Sequence, residues 1–224
     1  TTEIYTLSLH DALPILFYVN YFKMNPFQGG GEMTTDKRER ILKAAIKVFA
    51  RDGFFLAKVE EIAKVADVAT GTIYLYFENK DDLMISIFEE EMLPIIEHMR
   101  QELTAHESAT DKLIVFINQH LNMIQDHPDM AQLMQVELRQ SSKFLHGYEG
   151  TRFREYLAIV GDIFKLGQAQ KEFREDINPS IFKQVLFGAV DQIATNWTLS
   201  KTKRIHLAAS AQQISAIILQ GVAR

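Results

Sequence analysis

From Thr35 to the C-terminus the apolar residues recur with the 3.6-residue period of a helix almost without a break, and nowhere do they alternate as a sustained strand would. Such a pattern can bury its apolar stripes only by packing helix on helix, so the chain reads as all-α. Thr35 or Asp36 can cap a first helix with Ile41, Ala45, Val48 and Phe49 inward, and Gly53 stands where a C′ glycine belongs. A second helix is expected over about Lys58 to Ala66, with Val59, Ile62 and Ala63 inward. Thr70 offers a hydroxyl N-cap to a very short third helix through Tyr76. Asn79 caps a long fourth from Lys80 to about His106, which Pro94 kinks or interrupts.

Ser108 or Thr110 opens a helix to about Asp126, and Pro128 falls in the first turn of the next. Phe144 to Lys171 carries one long or two consecutive helices. Asn178-Pro179 starts another that ends near Leu199, and the last runs from about Ile205 to Gln220 with a stripe of Leu207, Ala211, Ile214, Ile218 and Gly221. After Met33 there is no repeat and no Gly/Ser linker, so the parts are expected to pack together rather than hang on a tether.

Composition excludes several classes. Without cysteine there is no disulfide framework, thiolate metal site or cysteine nucleophile, and a cytoplasmic setting is expected. The longest apolar run, Ala12 to Val19, is far short of a membrane span. Charge is unevenly spread: residues 33–80 hold nine bases and seven acids, whereas 81–224 hold 14 bases and 19 acids. A slightly basic block on an acidic body fits a small nucleic-acid-binding head without establishing one.

Residues 1–32 stand apart. Tyr5 to Ile15, YTLSLHDALPI, matches the conceptual translation of a common sequencing adapter, and Gln28 to Glu32 before Met33 matches a purine-rich ribosome-binding site read in frame. The segment is therefore expected to be an artefactual or untranslated leader, disordered, with Met33 as the start; the alternative is a natural flexible arm.

Val59 to Leu83 carries the strongest signal. Two short helices joined at Asp67-Val68-Ala69 form a helix-turn-helix. The second opens with Thr70, Gly71 and Thr72, small groups that let the backbone approach the major-groove floor, while the hydroxyls address base edges or phosphates. Ile73 and Phe77 are spaced to face the core, which leaves Tyr74 and Tyr76 for the sugar-phosphate backbone. Lys80, at the start of the fourth helix, adds its charge to a helix N-terminus suited to a phosphate.

Thr70 to Phe77 followed by Asn79 to Leu83 resembles the most recognisable stretch of the tetracycline-repressor (TetR) family of bacterial transcription regulators. The resemblance implies a three-helix DNA-binding head over 33–80 and a helical ligand-binding and dimerisation domain over 81–224. Ala57-Lys58 departs from the Ser or Thr with which the family usually starts its second helix, so the phosphate contact there passes to Lys58 alone. The family also implies a homodimer on palindromic operator DNA, because a two-fold axis sets two recognition helices about one DNA turn, roughly 34 Å, apart. The helices over 179–199 and 206–220 are expected to build that interface.

More narrowly, Val136 to Ser141 and Phe187 to Trp197 resemble the acyl-CoA-responsive fatty-acid-degradation repressors of bacilli. That implies a long-chain acyl-CoA effector and no cofactor. Residues 81–138 hold two bases and twelve acids, yet 139–154 hold Arg139, Lys143, Arg152 and Arg154 against Glu149 alone. This basic cluster beside Phe116, Met123, Met130, Met134, Phe153, Tyr156, Phe164, Phe187 and Trp197 suits an apolar tail with a phosphate head. The tail is expected among Phe116, Met123, Met134, Phe187 and Trp197, with phosphates near Arg139, Lys143, Arg152 or Arg154; singly, each residue also reads as ordinary core or a solvated base.

Enzyme readings lack a footing: no phosphate-binding loop, nucleophile elbow or dinucleotide fingerprint occurs, and no histidine has Glu three residues before it. His98, His120 and His127 are expected to be satisfied or solvated rather than metal ligands. Two alternatives stand beside the acyl-CoA repressor: a regulator of efflux or another gene answering a different hydrophobic or cationic ligand, and a helical interaction module with a vestigial head.

Overall fold

The computed structural model describes residues 34–137 and 151–224, and residues 37–224 form one compact unit. The leader assigned to 1–32, and Arg139 and Lys143, lie outside the described residues. Nine α-helices make up the described chain: α1 Thr34–Asp52, α2 Val59–Ala66, α3 Thr70–Ile73, α4 Lys80–Thr104, α5 Ala109–Asp126, α6 Pro128–Gln132, α7 Thr151–Ala169, α8 Pro179–Leu199 and α9 Leu207–Val222. A single wide π-helical turn, Leu133–Glu137, follows α6.

The caps explain most of the boundaries. Gly53 at φ 78° ends α1, its amide on the Phe49 carbonyl at 3.0 Å. Asn79 Oδ1 accepts the Asp82 amide at 2.9 Å while Asp82 Oδ2 accepts the Glu78 amide at 2.9 Å, a reciprocal box at the start of α4. Ser108 caps α5 through the Asp111 amide, and Asn178 caps α8 through the Ser180 amide. Two expected caps are corrected: Thr35 and Asp36 lie inside α1 rather than before it, and Ala69, not Thr70, is the N-cap of α3, where no side chain serves the helix because Thr70 is already its first residue. α3 also ends at Ile73; Leu75 and Tyr76 continue in tighter turns onto the Thr72 and Ile73 carbonyls. α4 runs unbroken past Pro94 and stops at Thr104.

One core runs through the described chain, with α5 at its centre against α4, α7, α8 and α9. Ile41, Ala45, Val48 and Phe49 are buried in the head as their spacing required. Along α9 the buried stripe is Leu207, Ala211, Ile214, Ser215 and Val222; Gly221 is exposed, because Val222 closes the stripe where its carbonyl accepts the Arg174 amide at 2.9 Å. The segment after α7 ties three ends together. Glu172 takes the Thr110 amide at 2.8 Å and hydroxyl at 2.7 Å at the start of α5, and its carbonyl accepts the Arg224 amide at 3.0 Å. Phe173 lies stacked on Phe164 and directly over Gly167. Among the described residues no helix is long and apolar enough to cross a membrane.

Candidate nucleic-acid interface and effector site

The helix-turn-helix is held from behind. Asp67 adopts φ 54° at the end of α2, a left-handed conformation that tolerates Asp. Arg40 of α1 donates to the Ala66 carbonyl at 2.6 Å and the Asp67 carbonyl at 2.8 Å, so one guanidinium fixes the turn that aims α3. Ile73 and Phe77 are buried, as their spacing predicts. The opposite side of the element then carries Gly71, where an added Cβ would meet nothing within 4 Å, and Leu75, which is 82% exposed. Thr70 and Thr72 are half-buried at the edges of this face and Tyr74 is 53% exposed, whereas Tyr76 packs partly against the core.

Leu75 and Arg40 escaped the sequence reading. Leu75 lies two residues from each of Ile73 and Phe77, a spacing that puts it opposite both; Arg40 gives no such signal, since its partners are 26 and 27 residues away.

Lys58 is the exposed N-cap residue of α2. Lys80 is not a freely solvated charge: its ammonium donates to the Phe55 and Ala57 carbonyls at 3.1 and 3.2 Å and sits 4.7 Å over the Phe54 ring. It thereby locks the start of α4 to the turn before α2. α1 and α4 meet again through the Arg38–Glu90 ion pair, with Arg38 also over Phe77. Beside that pair, burial and the adjacent Glu90 push the Glu91 carboxyl above its ordinary range, against a downward pull from Lys43.

In the other half, rings from four helices meet. Phe88 of α4 lies 6.3 Å from Phe153 of α7, which lies 5.4 Å from Phe187 of α8. Phe187 meets His120 of α5 at 6.0 Å, and Phe116 meets Tyr156 at 5.4 Å. His120 meets only half of the expectation that it is satisfied or solvated. It is buried, its Nδ1 pairs with the Tyr156 hydroxyl at 2.7 Å, and Nε2 has no hydrogen-bond partner among the described residues. Burial drives its pKa down to about 4, against a smaller upward pull from Asp191. It is therefore neutral at physiological pH.

The expected ligand residues are only partly brought together. Phe116 and Phe187 belong to the ring cluster, and Met123 and Met134 pack on the same core. Trp197 packs on that core as well, from the far end of α8, with its ring under Lys203 at 3.8 Å. Arg152 is half-buried and paired with Glu155 at 3.0 Å, and Arg154 is exposed. α8 and α9 leave Ile181, Val185, Leu199 and Ile217 each more than half exposed. A surface cleft of about 260 Å³, lined by Leu103, Lys112, Ile159 and Ile163, shares no residue with the ring cluster.

Two family models divide the chain between them: the bacterial regulatory proteins of the tetR family match residues 41–87, and the C-terminal region of YsiA-like proteins matches 88–221. The fatty acid metabolism regulator protein of Bacillus subtilis is 33% identical over 186 residues, 83% of this chain and 95% of that protein. The chain belongs to the TetR family. The crystal structure of FadR from B. subtilis in complex with stearoyl-CoA superposes with a TM-score of 0.76 at 33% identity, covering 82% of this chain and 98% of that one. FadR from Bacillus halodurans, a fatty acid degradation regulator, gives 0.75 at 32% identity over the same shares. As a TetR-family member the chain is a transcription regulator built from a DNA-binding head and a helical effector half.

Proposed function

We propose that the chain is a cytoplasmic, homodimeric repressor of fatty acid degradation genes that binds palindromic operator DNA and lets go when a long-chain acyl-CoA occupies its effector half. The observation that carries this is the likeness, across nearly the whole of the relative, to a FadR solved with stearoyl-CoA. The ring cluster gives an acyl tail an apolar environment, and each buried CH₂ contributes about 0.8 kcal/mol. The exposed apolar residues of α8 and α9 need a cover, and a second copy supplies one of the same chemistry. Gly188 and Gly221, where an added Cβ meets nothing within 4 Å, leave room for helices to approach.

On DNA, Thr70, Gly71 and Thr72 would face the major groove, and Tyr74, Tyr76, Lys58 and Lys80 the phosphates. An ammonium has three donors and Lys80 spends two on carbonyls, which leaves one for a phosphate. α4 is the transmission element, since it starts at Lys80 and reaches Phe88 of the ring cluster. A coupling of about 1 to 3 kcal/mol would lower operator affinity roughly 5- to 150-fold.

The test is a gel shift with DNA selected from the genome by the chain itself, together with mass spectrometry of any ligand that co-purifies. A retarded band that long-chain acyl-CoA abolishes is expected. A band that only an unrelated hydrophobic or cationic compound abolishes would move the effector to another class, and no band with any fragment would remove the regulator reading.

A further inference from the structure

Phe116 and Phe187 pack on one polar pair, His120 and Tyr156, and Phe153 and Phe88 extend the line of rings beyond Phe187. The Tyr156 hydroxyl and His120 Nδ1 satisfy each other, but the fully buried Nε2 has no partner among the described residues. One ring nitrogen of His120 is thus spent on Tyr156, while the other carries a desolvation cost that the unliganded fold does not recover. Phe187, Asp191 and Thr195 share one face of α8 at four-residue intervals, and Thr195 donates to the buried Gln135 at 3.0 Å. The face of α8 that carries Phe187 thus bears polar groups along one line, at odds with surroundings suited to hydrocarbon alone.

Resting on the acyl-CoA reading above, we infer that His120 Nε2 hydrogen-bonds an oxygen atom of the acyl portion of the effector, so that an oxygen-bearing chain is selected over a bare hydrocarbon of equal length. A neutral imidazole offers one donor and one acceptor. With Nδ1 held by Tyr156, Nε2 meets a carbonyl oxygen as a donor, or a hydroxyl in either tautomer. Two oxygens have this chemistry: the thioester carbonyl that every acyl-CoA carries, and a hydroxyl on the chain itself. A buried nitrogen that the unliganded fold leaves unpaired favours the ligand that brings it an oxygen, because the analogue without that oxygen binds with the nitrogen still unsatisfied.

The experiment titrates the full chain on its selected operator fragment with three ligands of equal chain length: palmitoyl-CoA, the thioether S-hexadecyl-CoA, which lacks the carbonyl, and 3-hydroxypalmitoyl-CoA. In wild type the thioether is expected to need a concentration about tenfold or more above the better oxygenated ligand. A gap between thioether and palmitoyl-CoA assigns the oxygen to the thioester; a gap between palmitoyl-CoA and its hydroxy form assigns it to the chain. His120→Phe should shrink the gap to within about threefold, and His120→Gln, which keeps a donor and an acceptor, should preserve most of it. As a readout that needs no variant, histidine ¹⁵N spectra of wild type should show the Nε2 signal of the least basic histidine moving with the oxygenated ligand and not with the thioether. Equal potency of all three ligands in wild type, or an undiminished gap in His120→Phe, overturns the inference while leaving acyl-CoA as effector. Failure of all three to release bound operator overturns the acyl-CoA reading and this inference with it.

Discussion

The head and the effector half treat polar side chains in opposite ways. In the head, the polar group that fixes the recognition element sits behind the working surface, as Arg40 does on the Ala66 and Asp67 carbonyls, while Lys80 ties the start of α4 to the Phe55 and Ala57 carbonyls at the edge of that surface. The surface itself is what remains uncovered: Gly71, Tyr74 and Leu75. In the effector half the polar groups of interest, His120 and Gln135, are buried among the residues that hold the fold together. Substitutions in the second half should therefore strike stability first, and those on the first half's outer face should strike DNA binding with stability spared.

The largest expected effect is at Gly167, on the inner side of α7. A Cβ there would stand 2.1 Å from Cδ2 of the Phe173 ring, and Phe173 is fully buried and stacked on Phe164. The ring has nowhere to go, so Gly167→Ala is expected to cost about 3 kcal/mol or more in urea unfolding. A loss below about 1 kcal/mol would mean that this core yields, and that the contrast with the head is overdrawn.

His120 gives the next effect, and it is set by pH. Its pKa in the fold is about 4 against an ordinary 6.5, so below pH 6.5 the unfolded chain takes up a proton that the folded chain refuses. Stability should fall as pH drops from 6.5 towards 4 and level off below, by about 3 kcal/mol. His120→Phe should erase that component while leaving the acid loss below pH 4.5 that belongs to Glu172. Burial pushes the Glu172 carboxyl up, but the Thr110, Ala109 and Ser108 hydrogen bonds outweigh it and hold the net pKa down, so its contribution is present above pH 4.5 and lost below. A variant whose stability still falls between pH 6.5 and 4 as wild type does would show that another group titrates there.

Legibility followed the same divide. Ile73, Phe77 and the Asn79 cap were readable because a four-residue spacing and a cap are local, and they are what shape the recognition element. The Thr70 cap failed by one position, since a hydroxyl serves a helix end only from the residue before it and Ala69 holds that place. Phe116 and Phe187, named together from the sequence, meet through His120, while Trp197 lies ten helical residues, about 15 Å of axis, further along α8. Phe88 was passed over because its partner in the cluster, Phe153, comes from another helix, and no spacing within one segment announces such a contact; His120 stands four residues after Phe116 on α5, a spacing that could have joined the two.

A smaller effect is expected at Arg40, which belongs to the head but stands behind its surface. Arg40→Met keeps the aliphatic stem and removes the donors to the Ala66 and Asp67 carbonyls, at a cost of about 1 kcal/mol given the partial exposure. Operator affinity should drop severalfold, because the turn that aims α3 is no longer pinned. Stability and affinity falling together would separate this position from those on the outer face; a loss of stability with affinity unchanged would show that α3 is aimed by its buried side chains alone.

The smallest effect on stability, and the sharpest on the comparison, belongs to Gly71. Its position is open, with nothing within 4 Å of an added Cβ, and it lies within α3, where alanine is favoured over glycine. Gly71→Ala should therefore leave the fold unharmed or raise its stability by about 0.5 kcal/mol, since the unfolded chain loses freedom that the native backbone does not use. A glycine kept at an exposed helical position against this preference needs a reason outside the fold, and close approach of the backbone to the major-groove floor supplies one. A methyl group at that contact would hold the two surfaces apart, so operator binding should weaken by about tenfold or more in a protein that melts at or above the wild-type temperature. Thermal melting and anisotropy titration on the same preparation decide it: affinity equal to wild type would mean that the backbone stays clear of the bases at Gly71, and reading would then pass to side chains such as Thr70, Thr72 and Leu75.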